Sequence, residues 1–255
     1  MNVFLFGQHL EHLRSAVIAA GLTPVEQPEN ADLILTHGGD GAMLDAAAKF
    51  PGKLKFPIRD AETAPLCCRH SLETQLRMLQ NGELARTFLP RLCGKANGKT
   101  LYGINDIFIH NRIHVSAMRY DVRIDGELYG QEIVGDGVGV STVHGSTAYY
   151  RSITNSIFRT GIGLAFSNST ELVNHLVLPE SSRIQVTVLR GPCEMVSDNS
   201  PETIAMTEGD VAEIMLDDST TPMLGLDIFM CPVCRKMRHD LRRTRVCGCG
   251  EESNA

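Results

Sequence analysis

The spacing of apolar positions changes about a third of the way along the chain. From Asn2 to Phe6 (NVFLF) apolar residues run almost unbroken, the pattern of a buried strand. Leu10, Leu13 and Val17 then recur at helical spacing until Gly21 closes the segment. A second apolar run, Asp32 to Thr36, leads straight into His37, Gly38, Gly39, Asp40 and Gly41. Beyond these, Met43, Leu44, Ala47 and Ala48 line one side of a helix expected to end near Pro51. Strand, glycine-rich turn and helix in that order form the repeating unit of a parallel sheet. Leu54 to Ile58 predicts a further strand, and Leu72, Gln75, Leu76 and Leu79 a further helix.

Past residues 86–92 the texture becomes β-rich. Asn97-Gly98 and Asp125-Gly126 sit between strand-forming runs, a strong hairpin signal. Arg183 to Arg190, Val211 to Leu216 and Met223 to Phe229 continue the strand pattern, interrupted by a helical candidate at Ser146 to Ile153. The expected organisation is an α/β domain over residues 1–90, an all-β, sandwich-like domain over 91–229 and a short cysteine-rich appendage over 230–255.

Composition narrows the function classes. Of 255 residues, 43% are hydrophobic and 21% charged, which excludes collagen-like, coiled-coil and wholly disordered chains. A net charge of −6 argues against nucleic acid or an anionic membrane as the main partner. No run suits a membrane span, and MNVFLFG lacks the basic flank of a secretion signal, so a cytoplasmic protein is expected. Eight cysteines in a reducing compartment point to metal binding where they cluster and to inert buried thiols where they do not. Cys67, Cys68, Cys93 and Cys193 are scattered, and the default for them is the inert thiol.

Two stretches carry chemistry. In HGGDG (37–41) the glycines allow close backbone approach, and the following helix aims its N-terminal amides at the same spot, which suits phosphate. Asp40 is anomalous in an anion cradle unless it meets a magnesium ion or takes a proton from an attacking hydroxyl, both tasks of phosphoryl transfer; a tight turn with an aspartate cap is the alternative. In GDGVGVSTVHGSTAY (135–149) small hydroxyl residues crowd the start of a helix, suited to a flat ligand hydrogen-bonded at its edges, or to a plain Ser/Thr-rich cap. GKANGKT (94–100) fails as a Walker A loop because only three residues separate Gly94 from Gly98.

GGDG at 38–41, the pair Asn105-Asp106, and GDG at 135–137 followed by GSTAY at 145–149 resemble the NAD kinase family in order and spacing, over about residues 30 to 229. GGDG alone is shared with diacylglycerol and sphingoid-base kinases; GSTAY with its upstream DG is the specific part. The resemblance implies phosphorylation of the 2′-hydroxyl of the adenosine ribose of NAD by ATP or polyphosphate with Mg²⁺, yielding NADP, in a homo-oligomer. It implies Asp40 as the base and Gly38, Gly39 and Gly41 as the phosphate loop. Asn105 and Asp106 match the Asn-Glu pair that holds adenine and ribose hydroxyls, and Asp136, His144, Thr147, Ala148 and Tyr149 match positions around the nicotinamide and adenine ends. Three departures stand out: FPIRDAETAPL (56–66) has no glycine-rich GxLGF-like element, His144 replaces a small residue before GSTAY, and Ala42 replaces Thr or Ser after GGDG. A kinase of another nucleoside, sugar or lipid acceptor is the alternative within the chemistry, with Arg59 available to an additional anion. A non-catalytic, zinc-bearing nucleotide-binding module is the alternative outside it.

The last 25 residues hold Cys231 and Cys234 as CxxC, then, twelve residues on, Cys247 and Cys249 as CxC. Two close thiolate pairs suit a tetrahedral structural Zn²⁺. FMCPVCRKMRHDL also resembles the family's terminal amphipathic helix, the alternative, with Cys231 and Cys234 as buried thiols. The six Lys and Arg residues between Cys234 and Cys247 form a solvated basic face.

Overall fold

The computed structural model describes residues 1–61 and 66–246, with side chains at all of these except 68, 239 and 241–246. It divides into two compact units, residues 1–88 with 222–255 and residues 89–221. The chain crosses between them twice.

The first unit opens with β1 (Asn2–Gly7), α1 (Leu10–Ala19), β2 (Thr23–Val25), β3 (Leu33–His37), α2 (Asp40–Lys49), β4 (Lys55–Ile58) and α3 (Leu72–Gln80). Its strands are parallel in the order β2-β1-β3-β4. Alternation sorts their side chains by face. Val3, Leu5, Leu33 and Leu35 pack with Leu13 and Val17 of α1 and Leu76 and Leu79 of α3. Phe4, Phe6 and Ile34 point the other way, onto Ala46 and Phe50 at and beyond α2. With a helix layer on each face, β3 is buried at every position, which is why LILTH reads as a continuous apolar run.

The second unit holds β5 (Arg86–Ala96, shared at its start with the first), β6 (Lys99–Gly103), β7 (Asp106–Asn111), β8 (Met118–Ile124), β9 (Glu127–Gly135) and β10 (Gly137–Ser141). After a 3₁₀ turn, Gly145–Thr147, come α4 (Tyr149–Thr154), β11 (Ile162–Ser167), β12 (Leu176–Leu178), β13 (Ile184–Arg190), β14 (Cys193–Ser197), β15 (Thr203–Met206) and β16 (Val211–Leu224). One layer contains the antiparallel run β16-β13-β8-β9 and the β5–β6 hairpin; the other is the antiparallel sheet β12-β11-β10-β7-β14-β15. Tyr120, Val122, Val186 and Ile214 from the first layer share a single core with Ile107, Ile109, Val138 and Met195 from the second. That is a sandwich. The two-residue loops Asn97-Gly98 and Asp125-Gly126 carry positive φ at both positions, as a hairpin twisted to match its strands requires. GKANGKT is therefore a hairpin.

β16 ends in the first unit, where Met223 pairs in parallel with Lys55 of β4. There α5 (Leu226–Phe229) and α6 (Pro232–Val246) follow. The strand expected over Met223 to Phe229 stops at Leu224, because Gly225 at φ 60° turns the chain into α5. Residues 222–229, expected with the β-rich half, thus pack with the α/β unit. The helix expected at Ser146 to Ile153 is split at Ala148 into the 3₁₀ turn and α4.

Ile109 is fully buried in the sandwich core. Ile109→Ala removes three carbons from a closely packed site and is expected to lower the unfolding free energy by about 2 to 5 kcal/mol in denaturant titration, with unchanged cooperativity.

Candidate functional site

The carboxyl ends of parallel strands are where α/β folds place their ligands, and three conspicuous segments of the first unit lie there. β1 leads to His9, β3 leads to Gly38-Gly39-Asp40-Gly41, and β4 leads to Arg59-Asp60. Gly39 caps α2 with its carbonyl accepting from Met43, and Asp40 is the first helical residue, where a carboxylate is favoured by the helix dipole. Arg59 Nη2 donates to Asp40 Oδ1 at 2.8 Å. The Arg59 side chain is 7% exposed and that of Asp40 62%. The other side of the guanidinium is used as well: Nε donates to the Phe229 carbonyl at 3.2 Å, and the plane lies 3.9 Å from the centre of the Phe229 ring. Arg59, which the sequence left available to an additional anion, is engaged with Asp40.

Asp60 turns the opposite way and pairs with His9 Nδ1 at 2.8 Å. His37 Nδ1 meets the Gln8 carbonyl at 2.7 Å; a carbonyl only accepts, so Nδ1 carries the hydrogen and Nε2 of the neutral ring is an acceptor. His9, His12, His37, Arg59 and Asp60 line a cavity of about 500 Å³ that reaches Cys67.

The second unit gathers the other group of motif residues around a turn. Asn105 and Asp106 lead into β7, and Ser141 and Thr142 end β10, paired so that Ser141 faces Asp106. The Asn105 carbonyl accepts from Thr142 N at 2.8 Å and Ser141 Oγ at 3.1 Å, while Thr142 Oγ1 donates to the Ile104 carbonyl at 2.6 Å. Gly145 has to be glycine: a Cβ there would lie 2.0 Å from the Asn105 carbonyl oxygen. This approach ties the start of GSTAY to the Asn-Asp turn. Tyr149 then packs edge-on to Phe108 with ring centres 4.7 Å apart and lies 5.6 Å from His110. Thr147 Oγ1 reaches the His144 carbonyl at 3.5 Å, and the Ala148 amide closes the 3₁₀ turn onto Gly145. Asp136 is not part of this gathering. It stands before the opposite end of β10, held by Asn168 Nδ2 at 2.8 Å and Asn111 Nδ2 at 3.4 Å.

Asp198 was invisible to pattern. Its carboxylate accepts from the backbone amides of Ile104 (2.8 Å), Asn105 (2.8 Å) and Asp106 (3.1 Å), clamping the turn from below. No spacing rule joins residues more than ninety positions apart, and SDNS around it reads as an ordinary turn. Burial raises the Asp198 carboxyl against the pull of those three amides. Burial first, and the neighbouring Asp198 second, push Asp106 up to about 7.

The terminal cysteines divide. Cys247 and Cys249 lie outside the described residues. Cys231 and Cys234 come together with Cys67 and His70, and their ligating atoms all lie within 4.8 Å of one another, a group able to hold a metal ion. Cys67 is thus not the isolated thiol its place in the sequence suggested. Cys93 and Cys193 are buried, and burial raises both thiols, Cys193 to about 11.

Comparison with known proteins first defines the fold. The chain superimposes on the crystal structure of an NAD kinase from Archaeoglobus fulgidus in complex with ATP with a TM-score of 0.75 and 18% identity, covering 95% of this chain and 99% of that one. It superimposes on yeast NADH kinase complexed with NADH with a TM-score of 0.76 and 17% identity, covering 100% and 89%. At those identities the likeness is one of fold. No family model matches the chain. In sequence it is 31% identical over 228 residues to the NAD kinase of Burkholderia pseudomallei, spanning 80% of this chain and 72% of that protein. It is 28% identical over 230 residues to the NAD kinase of Acinetobacter baylyi, spanning 81% and 72%. The chain belongs to the NAD kinase family.

Between about pH 4, where a free aspartate ionises, and about pH 7, Asp106 holds a proton in the folded state and not in the unfolded one. The unfolded state then binds fewer protons, so this group's contribution to stability falls as pH rises through that window and levels off above it. Asp106→Asn is neutral throughout. Denaturant melts at about pH 5 and about pH 8 are expected to show the variant gaining on the wild type as pH rises; a pH-independent difference would remove the protonated carboxyl from the fold.

Proposed function

We propose that the chain moves the terminal phosphoryl group of ATP to the 2′-hydroxyl of the adenosine ribose of NAD. The observation that carries this reading, within NAD kinase family membership, is the placement of Asp40. It heads α2 at the carboxyl edge of a parallel sheet, with one carboxylate oxygen held by Arg59. That contact orients the group and leaves Oδ2 to accept a proton. As the 2′-oxygen attacks the terminal phosphorus and the bond to the leaving ADP oxygen breaks, the hydroxyl proton passes to Asp40. Positioning and charge neutralisation supply most of the acceleration. In this reading Mg²⁺ enters as part of the ATP substrate, neutralising its phosphates.

In the same reading the loop of Gly38, Gly39 and Gly41 borders the phosphates, with the Gly38 amide itself donated to the Ile58 carbonyl, Asn105 and Asp106 take the adenine and ribose hydroxyls, and Tyr149 offers a ring face to a base. His144, Thr147 and Ala148 border the dinucleotide, and Asp136 serves its nicotinamide end. The shorter Asp106, in place of a glutamate, retains the acceptor oxygens and, at about 7, its hydroxyl proton near neutrality. Polyphosphate as the alternative donor, a homo-oligomeric state and a cytoplasmic location complete the reading. Among the described residues no helix is long and apolar enough to cross a membrane. Light scattering on the purified chain reads the oligomer. Sugar, lipid and other nucleoside acceptors are not favoured by a family membership that rests on NAD kinases over four-fifths of the chain.

Asp40→Asn keeps shape and loses the proton acceptor, so turnover is expected to fall about 10²- to 10⁴-fold while calorimetric binding of NAD persists. Mass spectrometry of products from Mg-ATP or polyphosphate with NAD, NADH, nucleosides and sugars identifies the acceptor. Phosphorylation of another acceptor in place of NAD would overturn the reading, and undiminished turnover in Asp40→Asn would remove that residue from the chemistry.

A further inference from the structure

The Cys67, His70, Cys231, Cys234 group sits within the first unit, on two segments far apart in sequence. Cys67 precedes and His70 ends the 3₁₀ turn before α3 (Cys68–His70); Cys231 follows α5, and Cys234 lies in the first turn of α6. His70 Nδ1 is 3.3 Å from Cys67 Sγ and 3.6 Å from Cys234 Sγ. The Cys67 amide donates to Cys234 Sγ at 3.3 Å. The three cysteines are buried together against Leu66. Zinc bonds of about 2.3 Å to sulfur and about 2.0 Å to nitrogen at tetrahedral angles place ligand atoms about 3.5 to 3.8 Å apart. His70 Nδ1 stands near that spacing from two of the thiols, all four ligand atoms lie within 4.8 Å of one another, and three thiols with an imidazole have the softness and number of a closed zinc site. They are too close together to enclose an iron–sulfur cluster.

We propose that these four residues bind one structural Zn²⁺, and that the ion clamps together the two segments that hold the partner of Asp40. Phe229, whose carbonyl and ring support Arg59, is two residues before Cys231, and Arg59 itself is eight before Cys67. A metal bridging Cys67 and His70 to Cys231 and Cys234 fixes both sides of the Arg59–Phe229 contact, and through Arg59 the orientation of the Asp40 carboxylate. Cys231 and Cys234 keep the role that their CxxC spacing suggested, but their partners come from CCRH at 67–70 rather than from the terminal CxC. The hydrogen bond donated by the Cys67 backbone amide to Cys234 Sγ is the outer contact expected around a metal thiolate. The clamp depends on the reading of Asp40 as the base; the zinc site does not.

The experiment uses the full chain, purified without a metal-affinity step or chelator. Elemental analysis is expected to find about one zinc per chain in the wild type and in a Cys247→Ser/Cys249→Ser double variant, and little in Cys67→Ser or Cys234→Ser. His70→Cys supplies a fourth thiolate and is expected to fold and keep the metal. Cobalt(II) exchange into the wild type should give tetrahedral visible absorption with thiolate charge transfer, altered in His70→Cys. No metal in wild type, with these thiols alkylated in the native state or joined as a disulfide, would overturn the proposal. So would zinc retained by Cys67→Ser and lost by the terminal double variant. Zinc stripped by chelation is expected to lower turnover about 10-fold; undiminished turnover in zinc-free protein would overturn the clamp. Protein with bound zinc that leaves NAD unphosphorylated would instead count against the enzymatic reading alone.

Discussion

A guanidinium almost out of water must be paired, and Arg59 is the charge around which the first unit's functional edge is organised. Leaving such a group uncompensated costs several kcal/mol, so its neighbours are held to it. Asp40 supplies the counter-charge, the Phe229 carbonyl a neutral acceptor, and the Phe229 ring a face for the guanidinium plane. These contacts join the end of β4, the start of α2 and α5, three segments with no sequence proximity. A lysine could not reproduce them, because only a planar fork addresses a carboxylate, a carbonyl and a ring at once.

The second unit solves a similar problem with the opposite sign. Two carboxyl groups, Asp106 and Asp198, are buried near each other, and two full negative charges there would repel in a poorly solvated place. The three amides spent on Asp198 favour its ionised form, so the proton resides more readily on Asp106, pushed up to about 7. One aspartate thereby becomes the rigid anchor of the turn and the other a group whose charge is settled near neutrality. A bound hydroxyl donating to Asp106 would favour the ionised form, so occupancy of this turn is linked to release of a proton.

Much of this was legible in the chain, and the reasons are local. The parallel unit announced itself through uninterrupted strands followed by a glycine turn and a helix, because both faces of β3 are covered. The hairpins at Asn97-Gly98 and Asp125-Gly126 were legible because positive φ at consecutive positions selects those residues. What escaped depends on distance in sequence. Asp198 reaches its amides across more than ninety residues, Arg59 finds Phe229 across 170, and Cys67 meets Cys234 across 167. Local composition says nothing about such meetings. The cysteines show the same effect of distance: CxxC supplies two of the gathered ligand atoms, and Cys67 and His70 join them from a segment far away in sequence, while Cys247 and Cys249 lie outside the described residues. Strand expectation failed at Met223 to Phe229 for a related reason. The apolar residues there are genuine core residues, but one glycine at positive φ diverts them from sheet to helix.

The departures from the family pattern also take on physical sense. Where FPIRDAETAPL replaces a glycine-rich stretch, this chain places a buried arginine at the end of β4 and, beyond it, Cys67. A glycine-rich loop gains close approach by removing side chains; Arg59 at the end of β4 instead adds contacts, to Asp40 and to Phe229. The two strategies differ in cost. Glycines lose more backbone entropy on ordering, whereas a paired guanidinium and four ligands converging on one point demand that distant segments be correctly placed first. The α6 helix is accordingly more than a polar appendage: its first turn contributes Cys234, and Arg238, one turn further, lies near enough to Arg59 and Asp40 to feel both charges, with burial the main influence lowering its pKa. The C-terminal segment therefore contributes directly to the electrostatics of the carboxylate that heads α2.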